Sequence, residues 1–330
     1  MSPVLDIEEL SVEFLTDRGW VTVVDSFNLT VGQGESVGLV GESGSGKSVT
    51  SLAVMGLIRH PGRISHGHVK LDGVVLDELN KRQIEDVRGK KIAMIFQEPM
   101  TSLNPAFTIG EQIAEVLRRH EGLNRKDARR KAVSLLETVR IARAAERIRS
   151  YPHEFSGGMR QRVMIAMALA CSPRLLIADE PTTALDVTTQ VQILDLLCDL
   201  REQFGMALLL VSHDLGVIAD VADRVVVMYA GQLMENAPAH ELFAHPSHPY
   251  TRGLLESMPR VDVVGGKFST IPGQPPAPWD IPAGCRFAPR CSLVTPACKT
   301  HTIALEAVAL GHESRCIEAV ALRKNGRSSC

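Results

Sequence analysis

The segment Gly41-Glu42-Ser43-Gly44-Ser45-Gly46-Lys47-Ser48 constrains this chain more than any other. Its glycines, lysine and serine fit a P-loop, in which successive backbone N–H groups curl around phosphate oxygens. The flanks agree with that reading. Glu35–Val40 reads as a buried strand, and Val49–Ile58 reads as a helix whose N-terminal dipole favours anions. Lys47 is placed to reach the β- and γ-phosphates, and the Ser48 hydroxyl to ligate Mg²⁺. A glycine-rich turn with no ligand is the competing reading; the complete motif in its strand–loop–helix setting speaks against it.

The chain's 330 residues suffice for one large domain or two smaller ones. Its 45% hydrophobic and 22% charged residues are ordinary for a globular protein. A formal net charge of −2 gives no overall electrostatic case for nucleic acid. No apolar run approaches the length of a membrane span, and Met1–Glu9 lacks the basic and apolar regions of a secretory signal. The expected location is therefore cytoplasmic, with any membrane role supplied through a partner.

Residues 4–14 and 21–31 read as strands, and Val69–Leu76 as a hairpin turning at Asp72-Gly73. Lys91–Phe96, Arg174–Ala178, Met206–Val211 and Arg224–Tyr229 are continuously apolar, as strands of a parallel sheet covered on both faces are. The expected fold is thus α/β with an antiparallel β layer, ligands gathering at the carboxyl ends of the parallel strands. From about 108 to 150 the pattern turns helical and basic, with Arg118, Arg119, Arg125, Lys126, Arg129, Arg130 and Lys131. Such a run is either a solvated helix face or a surface facing a membrane partner or anionic lipid. From about 240, ten prolines between Pro246 and Pro296 argue against a long helical domain and for a compact, loop-rich appendage. The last stretch, Arg323–Cys330, is expected to be disordered.

Leu175-Leu176-Ile177-Ala178-Asp179-Glu180 is an apolar strand ending in an acidic pair, the Walker B pattern. Asp179 is placed to hold Mg²⁺ through water, and Glu180 to take a proton from an attacking water or to orient it. Cys171 and Cys198 stand alone in apolar surroundings, as buried thiols do. Cys285, Cys291, Cys298, Cys316 and Cys330 crowd the last fifth; in a cytosolic chain that points to metal more than to disulfides.

Phe155-Ser156-Gly157-Gly158-Met159, followed by Arg160-Gln161-Arg162, resembles the signature motif of ABC-type ATPases. It departs from the commonest form at Phe155 (for leucine) and Met159 (for glutamine). The resemblance implies a RecA-like core with an antiparallel β layer and a helical subdomain at about 98–165, within a cassette spanning 1–240. It implies that Ser156, Gly157, Gly158 and Met159 contact ATP held by an opposite cassette, so that two cassettes sandwich two nucleotides. It implies a nucleotide site of Phe14, Gly41, Ser43, Gly44, Ser45, Gly46, Lys47, Ser48 and Val49. Phe14 would stack on adenine, with Trp20 as its competitor. Gln97 resembles the Q-loop glutamine that ligates Mg²⁺ beside Ser48 and Asp179, Asp186 the D-loop residue that crosses to the partner, and His213 the switch histidine at the γ-phosphate. Glu180, His213, Lys47 and Gln97 would carry catalysis.

His248–Leu255, Ile271–Pro276 and Gly284–Cys291, with Met100–Pro105, resemble the ATPases of oligopeptide/dipeptide importers, most nearly the D-type subunit of dipeptide importers. The cofactors so implied are ATP, Mg²⁺ and a [4Fe–4S] cluster on Cys285, Cys291, Cys298 and Cys316, spaced C-x5-C-x6-C-x17-C within residues 241–330. Zinc, or free thiols, remain open on the residues alone. The implied partners are an F-type second ATPase, two permeases and an extracytoplasmic peptide-binding protein at the cytoplasmic face of the inner membrane, without nucleic acid. Importers of nickel, glycosides or antimicrobial peptides share this branch. A soluble ABC ATPase would bring twin cassettes or a long coiled coil, and this sequence has one P-loop and no long heptad stretch.

Overall fold

The computed structural model describes residues 2–97, 102–183, 185–258 and 270–325. Met100 and Cys330, named above, lie outside the described residues, as does the beginning of the region read as a helical subdomain from about 98. The strands are β1 (Leu5–Thr16), β2 (Gly19–Val31), β3 (Ser36–Val40), β4 (Gly62–Leu71), β5 (Val74–Val75), β6 (Ile92–Ile95), β7 (Leu175–Asp179), β8 (Ala207–Ser212), β9 (Arg224–Tyr229), β10 (Gln232–Pro238), β11 (Glu306–Ala309) and β12 (His312–Ser314). Two compact units divide the chain, one of Met1–Leu5, Val31–Glu35 and Lys70–Val211, the other of Asp6–Thr30, Ser36–Val69 and Ser212–Cys330.

In the first unit β6, β7 and β8 run parallel, Ile92 opposite Leu175 and Leu175 opposite Ala207. Every residue of β7 and β8 is buried, so both faces are covered and the unbroken apolar runs are explained. β4 and β5 form the expected hairpin at Asp72-Gly73, with Leu71 opposite Val74. The basic region folds as helices Ile109–Glu121 and Arg125–Thr138, which bury Ile109, Ile113 and Leu117, and Ala128, Ala132 and Leu136. That spacing puts one apolar stripe inside. Thr108 and Glu111 close a capping box at the first helix, and Asn124 caps the second through the Asp127 N–H. Much of the basic run is a solvated face: Arg119 pairs with Asp86, Arg130 with Asp127 and Lys131 with Glu121.

In the second unit β3 and β9 run parallel, and β10 turns back antiparallel to β9. The helix after the phosphate loop spans Lys47–Val54, starting earlier than the apolar pattern suggested because Gly46 takes the N-cap position with φ 107°. The composition changes near residue 240, but the sheet does not end there. β12 adds antiparallel to β10, Glu235 opposite Ser314, and β11 adds to β12. The appendage is loop-rich as expected, with short helices at Pro249–Glu256, Pro296–Thr300 and Ala319–Asn325, and it also supplies two strands. The last helix covers the beginning of Arg323–Cys330, a stretch expected to be disordered.

One buried polar cluster fixes the returning tail. Glu235 on β10 and His312 on β12 have fully buried side chains and meet at 2.7 Å. The Glu235 carboxylate also accepts the Ser247 N–H at 2.6 Å and the His248 N–H at 3.0 Å. A buried carboxylate with its partners in place is tolerable; stripped of them it is costly. Replacing His312 by Ala is therefore expected to cost about 3 kcal/mol of stability, read as a lower urea midpoint. A midpoint within error of the unsubstituted chain would contradict the role given to this pair.

Candidate nucleotide and cysteine sites

In the second unit the phosphate loop leaves the end of β3 at Gly41. A Cβ at Gly41 would overlap the Met228 carbonyl oxygen of β9, so backbone passes where a side chain cannot fit. At Gly46 a Cβ would lie 2.8 Å from the Met228 Cε methyl. Lys47 is buried, and its ammonium donates to the Gly41 carbonyl at 2.7 Å and the Glu42 carbonyl at 3.0 Å. Ser43, Gly44 and Ser48 face solvent, while Ser45 is buried and its carbonyl accepts the Gly231 N–H at 2.8 Å. The loop thus presents polar backbone outward and holds its lysine across its own mouth, an arrangement suited to phosphate.

The two candidates for adenine stacking occupy different surroundings. Phe14 packs its ring edge against Gly62, where a Cβ would come within 2.7 Å. Trp20 is 42% exposed and carries the Arg63 guanidinium 3.8 Å above its ring. His213 is exposed just past the end of β8. Behind it Asp214 caps the helix Leu215–Ala219 by accepting the Gly216 N–H at 2.8 Å.

In the first unit β7 delivers Asp179, 6% exposed, and then Glu180. Glu180 has φ 47°, a left-handed backbone uncommon for glutamate. One carboxylate oxygen of Glu180 accepts from Gln97 Nε2 and from Thr183 Oγ1, both at 2.9 Å. The ends of β6 and β7 therefore bring together two of the expected catalytic residues. Ser156 caps the helix Gly157–Ala168, its hydroxyl accepting the Met159 N–H at 3.4 Å. Ser156 and Gly157 are exposed, so this N-terminus faces outward. Gly158 lies against Thr189, where a Cβ would meet Cγ2 at 2.6 Å. Asp186 caps the helix Val187–Phe204 through Thr189, and those hydrogen bonds hold its carboxyl below the usual range. On the same helix Val187 is 78% and Val191 51% exposed. Elsewhere in this unit Arg118, Arg125, Arg129 and Arg149 line a groove of about 470 Å³ with Thr108 and Glu111.

Cys285, Cys291, Cys298 and Cys316, in the second unit, line one small cavity with Phe287, Leu293 and Ile303. The Cys285 N–H donates to the Cys298 carbonyl at 2.7 Å, tying two of the stretches together. Burial pushes the thiols of Cys285, Cys291 and Cys316 upward, Cys316 to about 12. Among the described residues no group of three or more His, Cys, Asp or Glu is arranged to hold a metal ion; the four thiols share a cavity and are not gathered around a point. Cys171 and Cys198 are half-buried rather than buried.

Three contacts around this cavity carried no signal that the sequence alone exposed. Arg290, beside Cys291, forks onto the Glu42 carboxylate in the phosphate loop at 2.6 and 3.0 Å. The Tyr250 hydroxyl accepts the Glu42 N–H at 2.8 Å. Arg286, beside Cys285, pairs with Asp25 and with the Ala230 carbonyl. The stretches His248–Leu255 and Gly284–Cys291 stand out in the sequence, but their target does not.

Comparison with known proteins matches residues 24–183 to the family model "ABC transporter" and residues 234–298 to "Oligopeptide/dipeptide transporter, C-terminal region". The chain is 50% identical over 317 residues to the oligopeptide transport ATP-binding protein AppD of Bacillus subtilis, covering 96% of this chain and 97% of the relative. It is 51% identical over 327 residues to a putative peptide import ATP-binding protein of Brucella melitensis, with the same coverage. It is 50% identical over 299 residues to the oligopeptide transport ATP-binding protein OppD of Haemophilus influenzae, covering 91% of this chain and 92% of the relative. Among solved structures, a dimeric, post-hydrolysis ATP-binding cassette bound to ADP and Pi is similar with a TM-score of 0.64 at 27% identity, covering 71% of this chain and 98% of that one.

The contact at Gly41 yields a direct test. Gly41→Ala forces the phosphate loop away from Met228 at a cost of about 1–3 kcal/mol, a roughly 5- to 150-fold loss of nucleotide affinity if that cost falls on binding. Equilibrium titration with MgATP measures it, and unchanged affinity would contradict the close approach.

Proposed function

We infer, because this chain belongs to the ATP-binding subunits of the ABC transporter family, that it hydrolyses ATP to power import of di- and oligopeptides. The observation that carries the cargo class is the likeness to oligopeptide transport ATP-binding proteins along nearly the whole chain, C-terminal region included. Residues 1–240 form the ATPase cassette, and 241–330 the region characteristic of the oligopeptide branch. No described helix is long and apolar enough to cross a membrane. By its likeness to peptide import ATP-binding proteins we place the subunit at the cytoplasmic face, working through permeases.

In this reading Gly41, Ser43, Gly44, Ser45, Gly46, Ser48 and Val49 cradle the phosphates with their backbone, and Lys47 leaves the loop carbonyls for the β- and γ-phosphates. Phe14 carries the adenine. Ser48 and Gln97, and Asp179 through water, would hold Mg²⁺, which when bound would supply neutralisation of developing phosphate charge. Glu180, already oriented by Gln97 and Thr183, accepts the proton of the attacking water. His213 contacts the γ-phosphate. The exposed Ser156 and Gly157, with the half-buried Gly158 and Met159, Asp186 and the exposed Val187 and Val191, suit a second cassette, which we read as an F-type subunit. Two permease subunits receive the stroke, and the arginine-lined groove is a candidate seat for them. An extracytoplasmic binding protein delivers the peptide.

Cys285, Cys291, Cys298 and Cys316 line one apolar cavity without being drawn around a point, and from their number and shared cavity we read them as ligands that would close on a [4Fe–4S] cluster. When bound it would cross-link a region poor in long helices. Because burial raises these thiols, loading must displace protons and is favoured as pH rises.

Glu180→Gln is expected to lower steady-state hydrolysis in the assembled transporter by about 10²-fold or more while ATP stays bound. Wild-type turnover in that variant would remove Glu180 from its role. Chain purified without oxygen is expected to be brown and to release acid-labile sulfide; colourless protein with stoichiometric zinc would overturn the cluster.

A further inference from the structure

Glu42 is the one acidic residue of the phosphate loop. A carboxylate there opposes a polyanionic ligand, since like charges a few ångströms apart repel strongly where water is partly excluded. Each polar part of Glu42 is nevertheless engaged. Its N–H donates to Tyr250 Oη, its carbonyl accepts from Lys47 Nζ, and its carboxylate receives both arms of Arg290. The Arg290 side chain is 5% exposed and that of Glu42 26%.

Arg290 itself is held in place. Its Nε donates to the Pro272 carbonyl at 2.8 Å, Nη1 to the Tyr229 hydroxyl at 3.3 Å and Nη2 to the Ile271 carbonyl at 3.3 Å. Its guanidinium lies 5.7 Å from the Tyr229 ring and 5.9 Å from Phe287. Tyr229, Tyr250 and Phe287 pack with ring centres 4.6 to 5.4 Å apart. The fork matches a carboxylate in a way that lysine cannot. A second route leads the same way: Arg286 holds the Ala230 carbonyl, and the next residue, Gly231, donates its N–H to Ser45 of the loop.

We propose that Arg290 is a positioning residue of the nucleotide site: by neutralising and fixing Glu42 it sets the phosphate loop for MgATP and makes nucleotide affinity depend on the C-terminal region. The proposal rests on the reading that Gly41–Ser48 binds ATP. Coupling of this kind is reciprocal, so bound nucleotide steadies the tail as the tail steadies the loop.

The test is equilibrium binding of MgATP to the full chain carrying Arg290→Gln, Glu42→Gln, or both. Arg290→Gln leaves an uncompensated carboxylate beside the phosphates and is expected to weaken binding about tenfold. The double variant is expected to bind as tightly as Glu42→Gln alone and to regain most of the Arg290→Gln loss, because the offending charge is gone. That rescue traces the loss to the Glu42 charge, and a far-UV circular dichroism spectrum of Arg290→Gln that matches the unsubstituted chain shows that the loss of binding is not a loss of folding. Arg290→Gln binding as tightly as the unsubstituted chain, or a double variant as weak as Arg290→Gln, would overturn the proposal. Failure of the unsubstituted chain to bind MgATP would overturn the ATPase reading as well, so the two failures are distinguishable.

Discussion

The second unit depends on how closely β9 approaches the phosphate loop. Met228 sets its carbonyl where Gly41 would otherwise carry a side chain, and its methyl sulfide beneath Gly46. This contact lets the loop turn sharply out of β3 and start the helix Lys47–Val54 with its N–H groups pointing outward. β3 and β9 are parallel neighbours, Val40 opposite Val227, so their pairing places Met228 beside the loop. A small shift in that register would remove the geometry that makes Gly41 and Gly46 necessary.

Chemistry in the first unit is also built at strand ends. Asp179 finishes a fully buried strand, and the chain then turns through the left-handed region at Glu180. That conformation is held by the Glu180 N–H donating to the Val211 carbonyl and by the two donors on its carboxylate. Strain is tolerable where neighbours over-determine the position. Ser156 and Asp186 apply the simpler device of the N-cap, each starting a helix from an exposed polar residue.

What could be read in the sequence was local. The P-loop, the Walker B strand and the signature are short, and each carries its residues within a few positions. The parallel strands announce themselves as apolar runs because both faces are covered. β11 and β12 were illegible: Glu306–Ala309 and His312–Ser314 are short and mixed in polarity, and β12 answers to β10 nearly eighty residues earlier while β11 answers only to β12. The Arg290–Glu42 pair spans 248 positions, and no local pattern marks it. The cysteines were visible by spacing alone, whereas their shared cavity depends on how the short helices fold back. The basic run read ambiguously because the acids that pair with it include Asp86, well outside the run.

The return of β12 has a consequence for the sheet. β10 has an unpaired edge unless the tail comes back, and β12 occupies it with backbone hydrogen bonds at Glu235 and Asn236. Exposed edges recruit strands from other molecules. The tail thus moves the edge of the sheet from β10 to the short, four-residue β11. A subunit shortened before residue 306 would keep its nucleotide motifs and present an open ladder to its neighbours.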